Sequence, residues 1–177
     1  DIKSLKVITS SSNINFKENF ILIGLNLAFL GNAKKKDFSE DRYVYWADGI
    51  FSKRLDSKLN KLPGRNIIDK LILPDYIKKI IIVGNCSEKN KEYIKAKFPA
   101  INVTSIELPY GDTNLIINSL PDIKTGEEDL IIMTLPTPKQ EIIAKYISDQ
   151  NKIFKIICTG GALKMLSGEE KPIPKIL

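Results

Sequence analysis

The feature that most constrains this chain is an alternation of β-branched runs and capped amphipathic stretches in its second half. Lys79-Ile80-Ile81-Ile82-Val83-Gly84 is a continuous apolar run ended by glycine. A run without polar alternation reads as a strand buried on both faces. Ser87 to Phe98 follows as a helix, with Ser87 at its cap, Ile94 and Phe98 on one face, and Pro99 as its stop. The pattern then repeats: strand Ile101–Leu108, helix Asp112–Leu120 capped by Asp112, and strand Asp129–Thr134. Helix Thr137–Gln150 comes next, with Ile143, Tyr146 and Ile147 as its apolar face, then strand Phe154–Thr159 and short helix Gly161–Ser167. Strands that alternate with helices in this way form a parallel sheet covered on both faces. The expected fold class is therefore α/β, a Rossmann-like parallel sheet with helices on both faces.

The first half, residues 1–75, is less regular than the half that follows it, residues 76–177. Ile2–Thr9 and Phe20–Leu25 read as strands, and the polar stretch Ala33–Arg42 as a mobile loop. Tyr43-Val44-Tyr45-Trp46-Ala47 is a short aromatic strand leading into Asp48-Gly49, and Pro63-Gly64-Arg65-Asn66 precedes a helical stretch, Ile67–Leu73. At 177 residues a single domain is expected. A core of that size buries about 70% of the unfolded surface without staples.

Composition removes whole classes of chemistry. There is no histidine, which excludes Ser-His-Asp and Cys-His catalysis and any His-ligated metal. Proton transfer falls to carboxylates, lysine, tyrosine or a thiol. The two cysteines, Cys86 and Cys158, stand at strand ends and are expected to be free thiols in a reducing compartment. The net charge is +6, which attracts phosphates, nucleic acid or an anionic surface, although lysines also simply solvate a surface. No run approaches the roughly 20 apolar residues of a membrane span. The N-terminus also lacks the basic-then-apolar pattern of a signal peptide. The expected location is cytoplasmic, peripheral at the inner face of the cell membrane.

In open parallel sheets the ligand site lies at the carboxyl ends of the strands. Four segments of the regular half stand there: Gly84-Asn85-Cys86, Tyr110-Gly111-Asp112, Leu135-Pro136-Thr137-Pro138 and Thr159-Gly160-Gly161. Gly84, Asn85, Tyr110 and Gly111 are the nucleotide-binding candidates. They do not complete a dinucleotide or P-loop fingerprint, which argues against a dehydrogenase or methyltransferase. Asp48-Gly49 is either a plain turn or a partly desolvated carboxylate able to act as a general base. Pro63-Gly64-Arg65-Asn66 is either a surface turn or an arginine set beside a helix N-terminus to hold phosphate. Thr137-Pro138-Lys139-Gln140-Glu141 is fully explained as a capping box, with Thr137 at the cap, Pro138 at the first helical position and Gln140 three beyond the cap. It also admits Lys139 and Gln140 as groups facing a ligand. Gly160 and Gly161 serve either packing or close ligand approach.

Taken together, from about Phe20 to Pro174, these segments resemble the WecG/TagA/CpsF glycosyltransferase family. Ile21-Leu22-Ile23-Gly24-Leu25-Asn26 resembles its early strand with Thr-x-Asn, and Ala47-Asp48-Gly49 its Asp-Gly motif. Pro63-Gly64-Arg65-Asn66 is similar to its Gly-x-Asp turn. Pro138-Lys139-Gln140-Glu141 is similar to its Pro-Lys-Gln-Glu segment, the most specific match, and Thr159 to Pro174 resembles its closing glycine-rich segment. The resemblance implies inverting transfer of a sugar, of N-acetylmannosamine type or related, from a UDP-sugar donor to a polyprenyl-diphosphate-linked acceptor, in bacterial cell wall or capsule polysaccharide synthesis. It implies no cofactor and no tightly bound metal. Asp48 would be the catalytic base, and Asn26, Gly49, Arg65, Lys139, Gln140, Glu141, Gly160 and Gly161 would bind substrate. An anionic membrane surface is a further expected partner, a homo-oligomer stays open, and nucleic acid is not expected, since no reader motif accompanies the charge.

The sequence departs from the family pattern at four positions. Gly24 stands where threonine is usual, Asn66 where an aspartate is, Lys164 where an aspartate is, and Pro172 where a basic residue is. The family's C-terminal tail is also expected to be missing after Leu177. These departures keep open a second class, a divergent nucleotide-sugar-binding protein with little or no catalysis.

Overall fold

The computed structural model describes residues 5–33, 40–48 and 62–171. The elements run β1 (Val7–Ile8), β2 (Phe20–Gly24), α1 (Leu27–Ala33), β3 (Tyr43–Trp46), α2 (Gly64–Asp69), β4 (Lys79–Val83) and α3 (Glu88–Lys97). They continue with β5 (Asn102–Ile106), α4 (Thr113–Ser119), β6 (Asp129–Met133), α5 (Lys139–Asp149), β7 (Lys155–Cys158) and α6 (Ala162–Leu166). The strands form one seven-stranded sheet in the order β1-β3-β2-β7-β6-β4-β5. Every pairing is parallel. The fold is thus the Rossmann-like α/β sheet that the alternation implies, in a single domain.

The apolar runs explain the sheet. β2, β3 and β7 are buried along their whole length, and β4 and β6 from their second residue on. Alternate side chains therefore feed two separate cores. One core joins Ile21, Ile23, Tyr45, Val83, Met133 and Cys158 to Phe29 of α1, Ile116 of α4 and Ile143 and Ile147 of α5. The other joins Leu22, Trp46, Ile82, Ile132 and Ile157 to Ile67 of α2, Ile94 of α3 and Leu163 of α6. Helices α1, α4 and α5 thus cover one face, and α2, α3 and α6 the other.

Capping residues set several helix starts as expected. Ser87 accepts the N–H of Asn90 at 3.3 Å, and Asp112 accepts that of Leu115 at 2.9 Å. Three local expectations are corrected. The strand expected over Ile2–Thr9 is only Val7–Ile8 among the described residues. Helix α1 has no counterpart in the sequence analysis: Asn26 Oδ1 accepts the N–H of Phe29 at 2.9 Å and so starts it. Helix α2 begins at Gly64, so Arg65 and Asn66 lie within its first turn rather than before it. The expected mobile loop falls largely on residues 34–39, outside the described residues.

Strand β2 joins the two halves of the chain, and Leu22 at its centre is fully buried. Leu22→Ala should cost about 2–5 kcal/mol, the range for buried leucine truncation. Ile72, 83% exposed, should tolerate alanine within about 0.5 kcal/mol. Urea denaturation of both variants checks this, and equal midpoints would contradict the layering.

Candidate functional site

The loops after the strands lie along one edge of the sheet in strand order. Asp48 follows β3, Asn26 follows β2, Thr159-Gly160-Gly161 follow β7 and Leu135 to Pro138 follow β6. Gly84-Asn85 follow β4 and Tyr110-Gly111 follow β5. Arg65 reaches the same edge in the first turn of α2. Gly49 lies outside the described residues.

Around Asp48 the packing is close. β2 and β3 pair with Gly24 opposite Trp46, and Leu25 N–H donates to Trp46 O at 2.8 Å. A Cβ placed on Gly24 would lie 2.9 Å from Trp46 Cζ2 and 3.2 Å from Asp48 Cβ. A Cβ on Gly64 would lie 3.5 Å from the same Cζ2, 3.8 Å from Ala162 Cβ and 3.9 Å from Thr159 O. Asp48, the start of α2 and the β7–α6 loop therefore converge on the Trp46 indole. Arg65 is exposed and makes no hydrogen bond or ion pair among the described residues.

The Thr137–Glu141 segment builds a second group, and it does so without the expected capping box. α5 starts at Lys139, with Pro138 as a cap that has no side-chain hydrogen bond. Thr137 thus stands one residue before the cap. Its hydroxyl donates instead to Glu141 Oε1 at 2.8 Å. Gln140, 5% exposed, is engaged at both ends. Its Oε1 accepts the N–H of Gly160 at 2.9 Å, and its Nε2 donates to Thr137 Oγ1 at 3.2 Å and to Glu141 Oε1 at 3.3 Å. Gly160 holds φ at +54°, a left-handed conformation open to glycine. Lys139 Nζ donates to Gly111 O at 2.5 Å and so ties α5 to the β5–α4 loop. The β7–α6 loop bridges the two groups: Thr159 and Ala162 face Gly64, and Gly160 bonds Gln140.

Two of the nucleotide candidates, Gly84 and Asn85, sit where the chain direction reverses, and Tyr110 and Gly111 follow the outer strand β5 beside them. β4 leads outward to β5, whereas its neighbour β6 leads back to β7. Adjacent strands whose connections diverge leave a crevice at their carboxyl ends. Gly84 lies there with φ at +122°, and a Cβ on it would sit 2.7 Å from Thr134 Oγ1. Thr134 Oγ1 donates to Asn85 O at 2.9 Å. Tyr110 stands 89% exposed at the rim.

The buried titratable groups are shifted by desolvation. Burial raises the Glu141 carboxyl above the ordinary range, against the hydrogen bonds from Thr137 and Gln140. Its Oε2 has no hydrogen-bond partner among the described residues. Burial pushes Cys86 up to about 11 and Cys158 well above the usual thiol range. Both cysteines are free and buried, and neither is a thiolate nucleophile at neutral pH. Lys164, one of the departures, pairs with Glu170 at 3.7 Å, while Pro172 lies outside the described residues. Among the described residues, no group of three or more acidic or thiol side chains is placed to hold a metal ion, and no helix is long and apolar enough to cross a membrane. A cavity of ≈ 230 Å³ lined by Leu73, Lys78, Lys97, Phe98 and Ile101 opens instead at the amino ends of β4 and β5 and contains none of the candidate residues.

One residue of this edge was missed in the sequence. Trp46 reads there as strand core. The available signals were that it is the sole tryptophan and precedes Asp48 by two residues.

A doubly covered parallel sheet with a polar, glycine-containing carboxyl edge defines an α/β protein of Rossmann-like class, in which that edge is the usual place for a ligand. The chain matches the model of the glycosyl transferase WecG/TagA/CpsF family over residues 42–177, well over half its length, and it belongs to that family. The match takes in Asp48, Arg65, Lys139 to Glu141, Gly160 and Gly161, and begins after β2, so Gly24 and Asn26 stand outside it. No curated protein matches the chain.

The Glu141 shift has a definite sign. A carboxyl raised in the folded state holds its proton more tightly than in the unfolded chain. The stability this contributes is present below the ordinary carboxyl range, about pH 4, and is lost as pH rises toward the raised folded value. Glu141→Gln cannot ionise. Wild-type stability relative to Glu141→Gln should therefore fall between about pH 4 and pH 7. Urea midpoints at the two pH values check this, and a rising difference would contradict it.

Proposed function

We propose that this chain is an inverting glycosyltransferase that moves a sugar of N-acetylmannosamine type or related from a UDP-sugar to a polyprenyl-diphosphate-linked acceptor, in cell-surface polysaccharide synthesis. The observation that carries the reading is a continuous set of neighbours: Asp48 and the Trp46 indole meet beside Gly24, the same indole meets the Arg65-bearing start of α2, and the Thr159 to Ala162 loop joins that start to Gln140. In this reading Asp48 takes the proton of the acceptor hydroxyl. The hydroxyl oxygen bonds to the anomeric carbon from the face opposite the diphosphate, and the bond from that carbon to the diphosphate oxygen breaks. Arg65 and Lys139 supply positive charge for the departing UDP. Gln140 acts chiefly by holding Gly160, because both of its polar ends are already engaged. Asn26 belongs to the sugar-facing set, Glu141 stands behind it, buried and holding Thr137 and Gln140, and Gly84, Asn85, Tyr110 and Gly111 form the nucleotide end. The net charge of +6 supports residence at an anionic membrane face, where a polyprenyl acceptor is presented.

Asp48→Asn keeps the shape of the side chain and removes the base. Transfer should fall by about 10²-fold or more. UDP binding, followed by calorimetry, should stay within about threefold, since a base acts in the transition state rather than on the bound donor. Full transfer by Asp48→Asn would exclude Asp48 as the base. UDP-sugar binding without any turnover by the unsubstituted chain would favour a nucleotide-sugar-binding protein instead.

A further inference from the structure

The indole of Trp46 lies between two glycines, Gly24 at the end of β2 and Gly64 at the start of α2. It is 2% exposed, and its Nε1 is buried without a hydrogen-bond partner among the described residues. A tryptophan N–H usually finds a partner when buried. This ring is therefore held by shape. The contacts are asymmetric: a Cβ on Gly24 would stand 2.9 Å from Cζ2 and 3.1 Å from Cε2, whereas a Cβ on Gly64 comes no closer than 3.5 Å. The 2.9 Å approach is one that real Cβ atoms essentially never show and the 3.1 Å one is tighter than most, and the atoms met belong to a rigid bicyclic ring that cannot swing aside in a close-packed core. Asp48 touches the same space, its Cβ 3.2 Å from the Gly24 position.

We infer that Trp46 is a positioning residue of this site: its indole sets the placement of Asp48 relative to the Arg65-bearing first turn of α2, and Gly24 is the space that admits it. The role given to Asp48 rests on the reading above, whereas the packing itself does not. Gly24, which the sequence alone presents as the loss of a polar contact, thus becomes one half of a size-matched pair.

The pair is tested with Gly24→Thr, Trp46→Leu and their combination, with Gly24→Ala as a milder variant should threonine prevent folding. Trp46 is the sole tryptophan, so its emission reports the site without a label. Gly24→Thr should shift that emission, and Gly64→Ala, whose Cβ meets only ordinary contacts, should leave it unchanged. In the transfer assay Gly24→Thr should lower kcat by about 10–100-fold, the scale of an ångström-sized misplacement of a reacting group, with KM for the UDP-sugar changed less than about threefold. Once Trp46 is leucine, adding threonine at 24 should cost little more, because the two sites couple. An equal loss from Gly24→Thr in both backgrounds, or an unmoved emission, overturns the packing. A shifted emission with unchanged kcat overturns the positioning role. Failure of Asp48 as base would show separately, as full transfer by Asp48→Asn with the emission shift of Gly24→Thr and the coupling of positions 24 and 46 in stability intact.

Discussion

The site depends on one seam, the parallel pairing of β2 with β7. Phe20, Ile21 and Leu22 stand opposite Lys155, Ile156 and Ile157, strands more than a hundred residues apart in the chain. Asn19 fastens the start of the seam: its Nδ2 donates to Lys152 O at 2.8 Å, and its Oδ1 accepts the N–H of Phe154 at 3.0 Å. Through this pairing the half that carries Asp48 and the half that carries Lys139 to Glu141 share one sheet. Because all pairings are parallel, every strand delivers its carboxyl end to the same edge. A parallel strand must also be covered on both faces, so the helices are driven to the faces and the loops alone are left to meet a ligand.

The second half was legible because its strands are unbroken apolar runs and several helix starts carry a capping side chain. The structure adds what such patterns do not encode. β6 inserts between β7 and β4, so the crevice beside Gly84 lies between strands that are not neighbours in the chain. Helix α1 escaped because Leu27 to Ala33 holds a glycine and no clear periodicity, and because Asn26 was assigned to the ligand rather than to a cap. The capping box failed for a different reason. Its residues are real helix-start types, but a buried carboxylate at Glu141 competes for the Thr137 hydroxyl and the Gln140 amide. The helix also starts two residues past Thr137, and the Gln140 oxygen that a capping box would turn on the cap N–H accepts from Gly160 instead.

The candidate site was legible in outline, since the rule that ligands meet the carboxyl edge selects loops that the structure sets along one edge of the sheet. Its internal organisation was not. Gln140 and Lys139, taken from the sequence as ligand-facing groups, cross-link three loops through Gly160, Thr137 and Gly111. Trp46 was hidden because a buried aromatic in a strand carries the same signal whether it only fills a core or also fixes a neighbouring carboxylate. The fit between Trp46 and the bare backbone of Gly24 appears only when β2 and β3 are placed in register.

A structure determined with UDP bound tests the central claim most directly. The account predicts the diphosphate on the carboxyl edge, within hydrogen-bond distance of Arg65 or Lys139 and beside the Thr159 to Ala162 loop. A diphosphate in the cavity at the opposite edge, against Lys78 and Lys97, would contradict it.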